Sequence, residues 1–424
     1  MLEINIIREN PEAVKKRLAV KHFEPMEVVD QVLVLDENRR KIKTELDHTL
    51  NRSKTLSKEI GDMFKQGKRA EAQVLKAETT TLKEKAKDLQ AQLKDTKEQL
   101  QAKLVLLPNL PHESVPLGAT PEENREVARK GDLPTLAEGA KPHWELVEDY
   151  NIMSLELGTK ITGAGFPVFI GKGARLQRAL INFFLDEAQA AGYLEYMLPL
   201  LVNEESAFGT GQLPDKEGQM YHARDDNFFL IPTAEVPLTN IYRDDIVDEK
   251  DFPIKLVGHT PCFRREAGSY GAHVRGLNRV HQFEKVEIVQ ITHPDKSYET
   301  LDKMVAHVGN ILEKLGLPYR ILALCGGDAT FASALTYDFE TYSAAQKRWL
   351  EVSSVSNFET FQSNRMKLRF RDSETKKMRL AHTLNGSALA LARIIATLLE
   401  NNQTPEGIVI PEVLRPYTGF DIIN

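Results

Sequence analysis

From Leu35 onward, apolar or weakly apolar residues recur at Ile42, Leu46, Thr49, Ser53, Leu56, Ile60 and Met63, first seven apart and then alternately four and three. That spacing is a heptad seam, narrower than the apolar stripe of a globular helix. Gly67 interrupts it. Leu82, Ala86, Leu89, Leu93, Thr96 and Leu100 restore the alternation, and Pro108 and Pro111 end the second helix. Two helices of roughly 35 residues, at about 1.5 Å rise per residue, predict an antiparallel coiled-coil hairpin on the order of 50 Å long. Its seam includes Thr49, Ser53 and Thr96, weak hydrophobes that predict marginal stability.

The pattern changes after the hairpin. Residues 108–150 hold no sustained period and are rich in Pro, Gly, Asn and charge, as in PNLPHESVPLGATPEENREV, so they read as a linker between a helical arm (1–107) and a second domain (151–424). From about residue 150 short apolar runs (PVFI, FFLIPTA, KVEIVQI, YRILAL, RWLEVSSVS) alternate with helical stretches such as ARLQRALINFFLDEAQAA. Strand-like segments follow one another with few long helices between them. The expected class is therefore α+β, on an antiparallel sheet flanked by helices.

At 424 residues the chain has room for two or three domains at a prior of roughly 150 residues each. Its 42% hydrophobic and 27% charged residues exclude disordered and fibrous classes. Two cysteines, Cys262 and Cys325, cannot form a disulfide framework or a four-thiolate zinc site, and no zinc is expected. No window approaches a membrane span, and Arg8, Glu9 and Glu12 break what a secretory signal would need, so a soluble, cytoplasmic protein is expected. The net charge of −6 argues against nucleic-acid binding by the whole surface. Residues 39–103, however, hold 17 Lys and Arg against 10 Asp and Glu, leaving −13 on the rest. The predicted turn, Lys65-Gln66-Gly67-Lys68-Arg69, concentrates this positive charge. Spacing alone does not choose between a dimerising coiled coil and a lever that reaches a polyanion.

Candidate chemistry lies in the second domain. There is no GxxxxGK[ST], since GFPVFIGKG at 165–173 has the wrong spacing, and neither GxGxxG nor HExxH occurs. Phosphates, if bound, must be held by side chains. Arg264 and Glu266, two apart after a strand-like start, are expected to share one face of the sheet, although an exposed ion pair would look the same. Arg393 sits in ALALARIIATLL, read as a helix apolar on nearly every side, where a guanidinium needs a carboxylate or a ligand phosphate. Asn385, Gly386 and Ser387 are read as the start of that helix, with N–H groups free to face an anion. Thr233 and Glu235 in FFLIPTAEVPL, Glu287 in KVEIVQ, and Glu351, Ser353 and Ser354 in RWLEVSSVSNF place polar groups on apolar strands. Carboxylates for an amine and a divalent ion, with arginines for phosphates, suit ATP-driven activation of an amino acid.

FRREAGS…VRGLNRVHQFEKVE, TAEVPLTN, EVSSVSN and HTLNGSALALAR, in this order after a basic helical hairpin, closely resemble the seryl-tRNA synthetases of the bacterial type, a family of class II aminoacyl-tRNA synthetases. The resemblance spans essentially the whole chain. It implies ATP-dependent formation of seryl-adenylate and transfer to serine tRNA, with selenocysteine tRNA as a second candidate substrate. It also implies homodimerisation through GYLEYMLP (192–199), with Pro199 at the interface. Arg264 would meet the α-phosphate and the serine carboxylate, Glu266 the adenine region, Phe283 the adenine ring, and Val280 the same pocket. Arg393 would meet the γ-phosphate. Glu351, Val352, Ser353 and Ser354 would hold ATP, with Glu351 and Ser354 on Mg²⁺. Thr233, Glu235, Arg264, Glu287, Asn385 and Ser387 would bind serine, with Thr383 nearby, while Lys65, Lys68 and Arg69 would touch tRNA phosphates.

Ala388, Ala392 and Arg265 depart from common choices in the family, as does the loop Tyr270-Gly271-Ala272-His273. With about two dozen residues after the last motif, no anticodon-binding domain is expected. Two competing readings are an amino-acid:carrier-protein ligase, which would lack the arm, and a non-catalytic paralogue, which would lose Arg264 or Arg393.

Overall fold

The computed structural model describes residues 1–215, 218–266 and 274–424. The loop residues Gly268, Ser269 and Tyr270 to His273 lie outside the described residues. The chain forms two compact units, Met1–Ala19 with Phe23–Pro108, and Val20–His22 with Asn109–Asn424.

The first unit opens with the short helices α1 (Ile4–Glu9) and α2 (Pro11–Val20), followed by the long helices α3 (Glu27–Lys65) and α4 (Arg69–Leu104), which pack against each other. The predicted seam is the buried stripe: Leu46, Thr49, Leu56, Ala86, Leu89, Leu93 and Leu100 are buried. The seam of α4 starts earlier than expected, with buried Ala72 and Thr79 continuing the same three-four alternation back toward the turn. The small and hydroxylated side chains at these positions hid it from a hydrophobicity reading. Thr49 and Thr79 satisfy their hydroxyls on the carbonyls of Glu45 and Leu75, one turn back. Gly67 turns the chain at φ +76°, where a side chain would be strained.

The second unit is α+β. Its main sheet comprises β1 (Arg125–Lys130), β4 (Leu194–Glu195), β9 (Ile254–Phe263), β10 (Gln282–Thr292), β11 (Tyr319–Ala323), β12 (Leu335–Ser343), β13 (Arg348–Asn357) and β16 (His382–Ala390). Their order is β1-β11-β12-β13-β16-β10-β9-β4. All neighbours are antiparallel except β4 and β9. Small sheets join β2 (Met153–Ser154) to β3 (Val168–Phe169), β5 (Leu201–Val202) to β7 (Phe228–Leu230) and β6 (His222–Ala223), and β8 (Ile246–Val247) to β14 (Arg369–Arg371) and β15 (Met378–Leu380).

The alternation of side chains along β10 sets the two faces of the sheet. Val286 and Ile288 enter the core with Phe184 of α7 (Gly171–Ala190), Leu312 of α10 (Ser297–Lys314) and Ile394 of α12 (Leu391–Asn401). Phe283, Lys285 and Glu287 alternate with them and line the opposite side. There α8 (Glu204–Thr210), α9 (Glu235–Asn240) and α11 (Phe361–Met366) pack together, α9 against β10 and α11 against β16.

The segment read as an irregular linker is folded into this unit. β1 pairs with β11, Arg125 opposite Ala323, and α5 (His143–Asp149) packs against α12, ahead of the short α6 (Leu155–Ile161). Its strand, REVARK, is an edge strand in which charged pairs flank Val127 and Ala128, so it carries little of the hydrophobic signal that marks central strands.

Candidate active site

On the face away from the three core helices a cleft of about 830 Å³ is walled by β10, β13 and β16, by α9 and by the segment after β9. Every residue singled out for serine or nucleotide in the second domain lines it, from Thr233, Glu235, Arg264 and Glu266 through Val280, Phe283 and Glu287 to Glu351, Val352, Ser353, Ser354, Asn385, Ser387 and Arg393. Thr383 stands behind this lining and donates to Gln362 Oε1 at 2.7 Å.

Four local readings need correction. The strand β7 ends at Leu230, so Thr233 lies in a loop and Glu235 opens α9; Pro232 and the Thr233 hydroxyl, which accepts from the Glu235 N–H at 3.2 Å, favour that start. The strand β9 ends at Phe263, and Glu266 has φ +49°, so Arg264 and Glu266 reach the cleft from the chain beyond the strand instead of by period-two alternation. Asn385, Gly386 and Ser387 do not start a helix. They are paired in β16 with Val289, Ile288 and Glu287, which commits their backbone to the ladder, and α12 begins only at Leu391. Arg393 is accordingly in the first turn of α12, with its side chain 29% exposed at the cleft edge, and is not enclosed by the apolar helix.

One end of the cleft holds a buried polar cluster. Lys285, absent from the sequence-based set, donates to Thr233 Oγ1 at 2.8 Å and pairs with Glu287 Oε2 at 2.6 Å. Ser387 donates to the same Glu287 oxygen at 3.3 Å. Glu235 accepts from Gln362 Nε2 at 2.6 Å, and burial, with the Glu287 carboxylate nearby, pushes its carboxyl up to about 7. Three buried acceptors here lack partners among the described residues: Glu287 Oε1, Asn385 Oδ1 and the Thr210 hydroxyl. Orphaned buried acceptors of this kind call for a ligand that donates. An amino acid with an ammonium group and a hydroxyl does so.

The other end holds cations and an aromatic ring. The Arg264 guanidinium lies over Phe283, 5.3 Å from the ring centroid, and its Nε donates to the Pro232 carbonyl at 3.3 Å. Glu266 is paired with Arg279. Arg393 donates from Nε to the Asn278 carbonyl at 2.9 Å and from Nη1 to the Glu351 carbonyl at 2.8 Å, with Glu351 Oε2 at 3.4 Å. A slip in the ladder leaves Val352 unpaired between Glu351, opposite Glu340, and Ser353, opposite Phe339.

Asp338 of β12, also missed from sequence, lines the cleft beside Ser354, whose hydroxyl donates to it at 2.5 Å. Desolvation and the neighbouring Glu351 carboxylate push the Asp338 carboxyl well above its usual range. Two oxygen-donor side chains crowded in this way fit a hard divalent cation, which would relieve their repulsion. Among the described residues no group of three or more His, Cys, Asp or Glu could hold a metal ion. Such an ion would therefore share its coordination with ligand phosphates, as Mg²⁺ commonly does.

In the helical unit, Lys65, Lys68 and Arg69 sit exposed at the hairpin turn, with Lys65 and Asp62 3.5 Å apart.

The class II core domain of tRNA synthetases (G, H, P, S and T) matches residues 219–402, and the seryl-tRNA synthetase N-terminal domain matches residues 1–111. The chain is 50% identical to the serine–tRNA ligase of Salinibacter ruber over 99% of its own length and 98% of that protein's. It is 46% identical to the serine–tRNA ligase of Akkermansia muciniphila, over 100% and 99%. Its structure superposes on the seryl-tRNA synthetase of Pyrococcus horikoshii complexed with ATP at a TM-score of 0.93 and 33% identity, covering 100% of this chain and 99% of the other.

Proposed function

The chain belongs to the seryl-tRNA synthetase family of class II aminoacyl-tRNA synthetases, and from that premise we propose that it activates L-serine with ATP and transfers it to serine tRNA. The observation that carries the reading is the single cleft in which Arg264 and Arg393 share a wall with Thr233, Glu235, Lys285 and Glu287. A nucleotide triphosphate and an amino acid meet there.

The serine carboxylate attacks the α-phosphorus; an oxygen–phosphorus bond forms, the bond to the bridging oxygen breaks, and pyrophosphate leaves. The terminal ribose hydroxyl of tRNA then attacks the adenylate carbonyl, AMP leaves, and the hydroxyl proton is lost. Positioning and charge neutralisation carry most of this chemistry. Arg264 holds the α-phosphate and the serine carboxylate, Phe283 stacks on adenine beside Val280, and Glu266 closes the adenine end. Arg393 binds the γ-phosphate. Glu351, Ser354 and Asp338 would hold Mg²⁺, which would supply positive charge to the phosphates when bound, and Val352 and Ser353 complete that wall.

The orphaned oxygens of Glu287 and Asn385 support the assignment of Thr233, Glu235, Glu287, Asn385 and Ser387 to serine. Alanine, lacking the hydroxyl, would leave an acceptor unpaired and be rejected by a factor that can reach about 10⁴. Residues 1–107 act as the tRNA-binding arm, through Lys65, Lys68 and Arg69, and residues 151–424 as the catalytic domain joined by the folded segment 108–150. A carrier-protein ligase would have no use for the arm. The working state is a homodimer, supported by Leu194, Met197 and Leu201, which are 62%, 96% and 46% exposed around Pro199. Among the described residues no helix is long and apolar enough to cross a membrane. Likeness to serine–tRNA ligases is what supports action beside the translation machinery of the cytoplasm.

Pyrophosphate exchange across the twenty amino acids, with and without total tRNA, tests the function. Serine alone should support exchange, and exchange with another amino acid instead would overturn the assignment. Sedimentation at micromolar concentration tests the dimer.

A further inference from the structure

We propose that His143 is a positioning residue for the ATP end of the cleft, acting through the turn Gly276–Asn278 to aim Arg393. The proposal rests on the nucleotide reading of that cleft and assigns a role to a residue that does not itself line it.

His143 opens α5 and is fully buried. Its Nε2 accepts the backbone N–H of Leu277 at 2.8 Å. A ring nitrogen that accepts carries no hydrogen, so these partners assign the proton to Nδ1, which donates to Glu400 Oε1 at 2.7 Å. Glu400 lies in the last turn of α12, is also fully buried, and accepts from the His143 backbone N–H at 2.9 Å, from the Ser343 hydroxyl and from Gln346 Nε2 at 2.9 Å. The imidazole therefore ties the far end of α12 to the segment 276–278.

That segment also meets the near end of α12. The Asn278 carbonyl accepts from Arg393 Nε at 2.9 Å, and the Asn278 amide donates to Gln346 Oε1 at 2.8 Å. The circuit is closed: Arg393, Asn278, Leu277, His143 and Glu400 return to the helix that bears Arg393. The turn is shaped to the ring, since Gly276 has φ +68° and a Cβ there would stand 2.3 Å from His143 Nε2. Without the Leu277 bond the turn loses its anchor, and the carbonyl that orients the guanidinium is free to shift. A displacement of about 1 Å at such a contact can cost up to about 100-fold.

The test is serine-dependent pyrophosphate exchange with the Michaelis constants for ATP and serine measured separately. His143→Phe fills the space but makes neither bond, and should raise the constant for ATP about tenfold while leaving that for serine within about twofold. His143→Gln presents an N–H and a carbonyl side by side and should keep the ATP constant within about threefold of the parent. Gln346→Ala, in the half-buried hairpin between β12 and β13, should give an intermediate rise for ATP alone. Equal rises for both substrates, an unchanged ATP constant in folded His143→Phe, or a Gln variant as impaired as the Phe variant would each overturn the proposal. If His143→Phe does not fold, an unchanged ATP constant in Gln346→Ala overturns it. Failure of the unaltered protein to exchange with serine would instead refute the functional reading.

Discussion

The ammonium nitrogen of Lys285 stands 2.6 Å from Oε2 of Glu287, two residues further along the same strand, and 2.8 Å from the hydroxyl of Thr233. Strand alternation puts both side chains on the cleft face, and burial makes the pair interdependent: the lysine side chain is 6% exposed and the glutamate 1%. One Glu287 oxygen is thereby occupied and the other, Oε1, left for a ligand.

Lys285→Met keeps the bulk of the stem but removes this cation. A buried carboxylate stripped of its partner costs about 3 kcal/mol or more. The expected result is a lower unfolding midpoint in urea together with a Michaelis constant for serine raised at least about tenfold, while that for ATP changes little. An unaltered serine constant would remove Lys285 from the site.

Glu235 predicts proton release on serine binding. Its carboxyl is pushed up to about 7, first by burial and then by Glu287. An arriving ammonium group favours the ionised form, so near pH 6 binding should expel a fraction of a proton. Calorimetric titration of serine in two buffers of different ionisation enthalpy reads this directly, and identical heats would contradict it.

The same carboxyl makes stability depend on pH. The folded value lies above the ordinary value of about 4.5, so the folded state holds the extra proton between the two. Stability from this group is therefore greatest below about pH 4.5 and declines as pH rises through 7, by up to about 3 kcal/mol. Glu235→Gln should raise the urea midpoint at pH 8 and do so much less at pH 5.

Arg393→Ala should reduce serine-dependent exchange by about 100-fold or more, the usual effect of losing one oriented charge donor. Since the side chain is 29% exposed and bonds mainly to two carbonyls, the fold should survive, with a cooperative thermal transition. Normal exchange in that variant would refute the γ-phosphate assignment.

Replacing Lys65, Lys68 and Arg69 together by Ala should raise the Michaelis constant for tRNA and flatten its dependence on salt, by up to about three in the log–log slope. Pyrophosphate exchange without tRNA should be untouched. The exposed position of these residues at the hairpin turn makes loss of folding an inadequate explanation for the effect.

The helical hairpin is legible in the chain because its signal is local: each seam residue reports on neighbours three and four positions away, and Gly67 marks the turn. Ala72 and Thr79, small or hydroxylated at seam positions, escape a hydrophobicity reading. The candidate residues of the cleft are legible by residue type and motif order. Their local conformations are not, as Glu235 on a helix start and Ser387 on a strand show. Lys285 could have been found from its place between Phe283 and Glu287 on one alternating face.

The arm, the α+β class and the inventory of charges follow from the order of residues, because periodicity and composition act over a few residues. Which charges face one another was decided by the tertiary structure alone. Lys285 pairs with Glu287 within one strand, but Asp338 meets Ser354 across β12 and β13, and His143 reaches Leu277 and Glu400 from distant parts of the chain. Those partnerships depend on sheet order and helix packing, which bring together groups that no local pattern relates.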